Sequence, residues 1–166
     1  MRRILLFVVA GLATAAIAVP AALATSPHFI NATASLNSDG TLTANFKEAG
    51  LGNNQLIDYT LSANGTASYV CVNGGNHNPS ATNKETVNGP VSASGEFNSG
   101  KNGSVTASLT LSPPSAGSFS CPKGQKLELA SVSYTGVTLT DTTNNVSASL
   151  GDFDSGCLLP DVSGAC

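Results

Sequence analysis

The sequence has no tryptophan, a single methionine and only two histidines. Aromatic residues make up 5% and charged residues 10% of its 166 positions. These shortages exclude several classes. A coiled coil draws about half its residues from Ala, Glu, Lys, Leu and Arg at helical period, and here Glu, Lys and Arg are scarce. A nucleic-acid binder needs clustered Lys and Arg to neutralise phosphate. Beyond residue 24 the chain keeps five Lys, no Arg and ten acids, a balance of 5 − 10 = −5 that repels a polyanion. No G-x-S-x-G elbow is present, and a nucleophilic serine would also need a histidine base and an orienting acid. No C-x-x-C pair marks a zinc site.

Long apolar runs are confined to the N-terminus. Arg2 and Arg3 precede an uncharged stretch from Ile4 to Ala18, and Ala22-Leu23-Ala24 follows. A positive start, an apolar centre and a small-x-small exit are the three parts of a secretory signal peptide. Pro20 interrupts the stretch before it reaches the roughly 20 apolar residues of a membrane span. Residues 1–24 are therefore expected to be removed. Residues 25–166 are expected to form one extracellular domain with no membrane association after cleavage.

The four cysteines, Cys71, Cys121, Cys157 and Cys166, all lie beyond the leader. An even count in an exported chain reads as disulfides, with three possible connectivities. Cys71–Cys121 with Cys157–Cys166 is favoured, because the last two are close in sequence and enclose Pro160 and Gly164.

The remainder alternates with period two. Ala32, Ala34 and Leu36 are followed by the turn Ser38-Asp39-Gly40, then by Leu42, Ala44 and Phe46. This pattern predicts a hairpin. Ile57, Tyr59 and Leu61 predict a strand, Asn64-Gly65 a turn, and Tyr69 to Val72 the returning strand. Residues 73–90 read as a long polar loop. Further strands are expected around Val91–Phe97, with a weakened or bulged centre at Gly95, and around Val105–Leu111. Leu127 and Leu129, Val132 and Tyr134, and Val137 and Leu139 continue the series, with Val146, Ala148 and Leu150 last. Eight or nine short strands and no helix predict an all-β fold. Its form is a disulfide-bonded antiparallel β-sandwich, immunoglobulin-like in general architecture. The immunoglobulin signature itself is incomplete, since no Trp lies between the cysteines.

Chemistry-bearing residues are few. Asn73, Asn76, His77 and Asn78, in Asn73-Gly74-Gly75-Asn76-His77-Asn78-Pro79, offer amides and an imidazole to an extracellular ligand, a glycan or a protein. The same residues suit any tight polar loop. The acids Glu48, Asp58, Glu85, Glu96, Glu128 and Asp141 are scattered over expected turns and strand faces, a weak basis for two-carboxylate glycosidase chemistry. Asp152 and Asp154, and Asp141 with Asn144 and Asn145, supply oxygens of the kind calcium takes, without an EF-hand loop. Tyr59, Tyr69 and Tyr134 could stack on sugars only if exposed, and all three follow the core parity. Sequons occur at Asn31, Asn64, Asn102 and Asn145.

The order F-K-E-A-G-L-G-N (46–53), C-V-N-G-G (71–75), N-K-E-T-V (83–87), N-S-G-K-N-G (98–103), C-P-K-G-Q (121–125) and V-S-Y-T-G-V-T-L-T-D (132–141) resembles a class of small secreted proteins from filamentous bacteria and fungi. The resemblance covers about residues 32–150. It implies an extracellular protein and assigns no activity or catalytic residue. The expectation is a secreted, non-enzymatic binding or structural module without metal or cofactor. Its expected contacts are the 73–90 loop and the Cys157–Cys166 loop. A carbohydrate- or cell-wall-binding domain is the alternative, ahead of a hydrolase or an effector.

Overall fold

The computed structural model describes residues 26–73 and 80–166. Seven strands follow in order: β1 (His28–Leu36), β2 (Leu42–Ala49), β3 (Leu56–Asn73), β4 (Ala81–Asn98), β5 (Ser104–Leu111), β6 (Gln125–Asp141) and β7 (Val146–Asp154). They form two antiparallel sheets, β1-β2-β5 and β4-β3-β6-β7. The chain changes sheet after β2, β4 and β5 and makes hairpins elsewhere. The result is a sandwich of immunoglobulin-like general architecture.

The alternating residues build the interior. Leu42, Ala44 and Phe46 face Ile57, Tyr59, Leu61 and Leu139 between the sheets, all buried. Phe29, Phe46, Tyr59 and Phe97 form one aromatic cluster, with the Phe46 and Tyr59 rings 4.6 Å apart. Edge-to-face and tilted contacts of this kind add to the burial itself. Gly95 lies against Phe97 and Leu109, so close that a Cβ would sit 3.0 Å from the Phe97 ring. The expected bulge at Gly95 is absent, and β4 keeps regular register with β3 from Leu56↔Asn98 to Val70↔Lys84. The glycine makes room for a ring instead.

Asn64-Gly65 is not a turn. β3 runs straight through it, pairing with β4 on one side and β6 on the other. Gly65 lies opposite Gly89, and Pro114 packs on its inner side, within 2.8 Å of where a Cβ would stand. Pairing on both flanks and this contact override the local turn preference. Two expected strands therefore merge into one, and much of the expected 73–90 loop is strand β4.

The larger sheet is about twice as long as the smaller and needs other cover at its far end. On the inner side, the 112–124 segment crosses it: Tyr69 Oη donates to the Pro114 carbonyl at 2.7 Å, and Cys71 is bonded to Cys121. The chain beyond β7 first continues alongside β6, with the Ser155 N–H donating to Val132 O and the Leu158 N–H to Ala130 O. It then reaches β4, where the Ala81 N–H donates to Ser163 O and a short parallel bridge joins Ser80 to Ser163. Val70, Ala130 and Ala165 form a second small core under this tail, and Cys157–Cys166 closes it. Both cysteine pairs are those favoured from the sequence. The tail also covers part of the β4 edge, an exposed row of backbone groups that would otherwise invite pairing.

Two bulges in β6 shape the outer face. The register with β3 slips at Ala130 and again at Gly136, whose φ is +64°. The inward parity therefore passes from Leu129 to Val132 and Tyr134, and then to Val137 and Leu139. The freed N–H of Gly136 donates to Asp152 Oδ1 at 2.7 Å.

A candidate ligand trough on the larger sheet

Outward positions of β3 are Ser62, Asn64, Thr66 and Ser68, successive residues of one face. At about 3.3 Å per residue, Ser62 to Ser68 spans roughly 20 Å. Ser92 of β4 stands opposite Ser62, and Ser131 of β6 stands opposite Ser68. Two shallow depressions lie along this row. One, of about 410 Å³, is lined by Ser62, Asn64, Pro90, Ser92 and Gly136. The other, of about 300 Å³, is lined by Thr66, Ser68, Lys84, Ser131, Ser133 and Asp154, with Cys166 of the tail as part of its wall.

Local chemistry explains the form. The Gly136 bulge interrupts the β3–β6 register beside Ser62 and Asn64. The disulfide-closed tail raises a rim at the other end. Thr60 bonds to Ser94 at 2.9 Å and Ser68 to Thr86 at 3.0 Å, so neighbouring hydroxyls are held in fixed positions across the strands. The floor is an array of hydroxyls and one amide, with one cation and one carboxylate at the tail end. Such a surface offers donors and acceptors along a line, beside apolar area of similar extent from Ala63, Pro90, Val91 and Val132. It can hold a flat, hydroxyl-bearing ligand by many individually weak bonds.

The residues singled out from the sequence fare differently. Asn73 is half-buried and closes the β3–β4 hairpin: Nδ2 donates to Ser80 Oγ and Oδ1 accepts from the Ser80 N–H, both at 3.0 Å. Asn76, His77 and Asn78 lie outside the described residues. His28 is exposed, with Nδ1 bonded to the Ser26 carbonyl at 2.8 Å. Tyr59 and Tyr134 are fully buried and Tyr69 is half-buried, so the first two have no ring face for a sugar. Burial raises the pKa of the Tyr134 hydroxyl to about 12 and raises that of Tyr69.

Of the scattered acids, Glu48 and Asp141 come together, and both are fully buried rather than on turns or open faces. Their strand parity is the reason. Glu48 continues Leu42, Ala44 and Phe46 on β2, and Asp141 continues Val137 and Leu139 on β6. That signal was present in the sequence. Asp141 Oδ1 and Oδ2 accept from the Asn144 N–H and Nδ2 at 2.9 and 2.7 Å, organising the β6–β7 turn. Burial pushes the Glu48 carboxyl from 4.5 up to about 7; the Tyr59 hydroxyl opposes the shift and the Asp141 charge adds to it.

Among the described residues no three His, Cys, Asp or Glu side chains are grouped as metal ligands. Asp152 and Asp154 accept instead from the backbone N–H groups of Gly136 and Gly156.

The trough is not legible in the sequence, because Asn64-Gly65 reads as a turn that would cut β3 in two. No protein-family model, curated protein or solved structure matches the chain.

Proposed function

We propose that this protein is a secreted, non-catalytic binding module whose contact surface is the hydroxyl-lined trough of the larger sheet. Its ligand class is an extended, hydroxyl-rich polymer of the cell wall or extracellular matrix. The leader-like residues 1–24 support export. Two disulfides accord with an oxidising compartment. No helix among the described residues is long and apolar enough to cross a membrane.

The observation that carries the reading is the row from Ser62 to Ser68 with Ser92, Ser131 and Ser133 beside it. Hydroxyl and amide groups match the donors and acceptors of a polysaccharide. Without stacking rings each sugar contributes little, so a chain that occupies both depressions at once is favoured over a monosaccharide.

The test is retention of the purified protein on insoluble cell-wall polymers and on a glycan array. Thr66→Val and Ser92→Ala remove one hydroxyl each with little change of shape. Each is expected to weaken retention by roughly two- to tenfold, the worth of a hydrogen bond of about 0.5–1.5 kcal/mol. Retention unchanged in both variants contradicts the placement of the site.

A further inference from the structure

Glu48 is fully buried, and neither of its carboxyl oxygens has a well-formed hydrogen bond. The Tyr59 hydroxyl is equally buried and equally unpartnered. A charged carboxylate in such a place is costly. The groups come from both sheets: Glu48 from β2 of the smaller, Tyr59 from β3 and Asp141 from β6 of the larger. Both Asp141 oxygens already accept bonds from Asn144, which leaves Glu48 as the partner able to supply a proton.

We propose that the protonated Glu48 carboxyl, buried and facing Asp141 of the other sheet, is a latch between the two sheets, released as the surrounding pH rises through neutral. With the proton present, Glu48 is neutral and can donate to the Asp141 carboxylate. Without it, two negative charges face each other in the core, with only the Tyr59 hydroxyl as a nearby donor.

The surroundings do not supply a replacement charge. From β1 the group that acts on Glu48 is His28, which is exposed. β3 contributes Tyr59 and β6 contributes Asp141. β5 places the apolar Val105 opposite Glu48, and β4 places Phe97 against the same aromatic cluster. Lys47, the next residue to Glu48, is exposed on the opposite face of β2.

The sign follows from linkage. The folded carboxyl keeps its proton up to about pH 7, whereas the unfolded one releases it near 4.5. The stabilisation is complete below 4.5, erodes between 4.5 and about 7, and is gone above that.

The experiment is urea unfolding of the purified protein from about pH 4 to about pH 9, compared with Glu48→Gln. The wild-type midpoint is expected to fall, relative to the variant, across the 4.5-to-7 interval and to run parallel to it above. Parallel curves throughout overturn the latch. So does recovery of alkaline stability on adding calcium to the wild type alone, which would make the pair a metal site instead. Should Glu48→Gln fail to fold, the protonated-carboxyl infrared band of the wild type serves. A band that persists above the ordinary carboxylate range and disappears near pH 7 supports the latch, and a band fully lost by about pH 5 overturns it. Neither result depends on the identity of the ligand in the trough.

Discussion

The hydroxyl of Tyr134, on β6, donates to the carbonyl of Gly40 at 2.8 Å, in the hairpin turn between β1 and β2. One bond thus ties the centre of the larger sheet to the end of the smaller. Both residues are buried. Gly40 itself has φ +85° and packs on Leu129 and Val132, so a side chain there would be both strained and obstructed. Tyr134→Phe keeps the ring and leaves the carbonyl unpaired. The expected loss is about 1–3 kcal/mol, read from the urea midpoint.

Gly65 and Gly89 face each other across β3 and β4 but differ in what lies beneath them. A Cβ on Gly65 would meet Pro114 at 2.8 Å, whereas a Cβ on Gly89 would meet nothing within 4 Å. Gly65→Ala is expected to destabilise by about 1–3 kcal/mol through displacement of the 112–124 segment. Gly89→Ala is expected to be neutral or to stabilise by up to roughly 1 kcal/mol, because it restricts the unfolded chain. Thermal unfolding of the two variants side by side distinguishes them.

The two disulfides close loops of very different length. Cys71–Cys121 closes a separation of 50 residues and Cys157–Cys166 one of 9. Chain entropy gives about 4 kcal/mol for the first and about 3 kcal/mol for the second. Replacing both members of the first pair with alanine should therefore lower stability more. Replacing both members of the second should reduce polymer retention further than its stability loss explains, because Cys166 is part of the trough wall. Retention measured well below the unfolding temperature separates the two effects.

Parity made most of the fold legible. The pairs Leu127–Leu129, Val132–Tyr134 and Val137–Leu139 already contain both β6 bulges, since each break in alternation is a register slip at Ala130 or Gly136. Asn64-Gly65 misled because turn chemistry is local, while Gly65 answers to Pro114, some fifty positions away. The same error concealed the trough, which exists only if β3 is continuous. Glu48 and Asp141 followed the core parity, yet charge argued for the surface. Strand parity puts both inside, and only the packing of the two sheets, which no local pattern reports, brings them together.

The most direct measurement of the central claim is an amide chemical-shift footprint of the protein titrated with a soluble oligosaccharide from a polymer that retains it. Shifts are expected to concentrate on Ser62–Ser68, Ser92 and Ser131–Ser133, with weaker changes in the Cys157–Cys166 tail. Shifts confined to residues 74–79, or to the outer face of the smaller sheet, would contradict it.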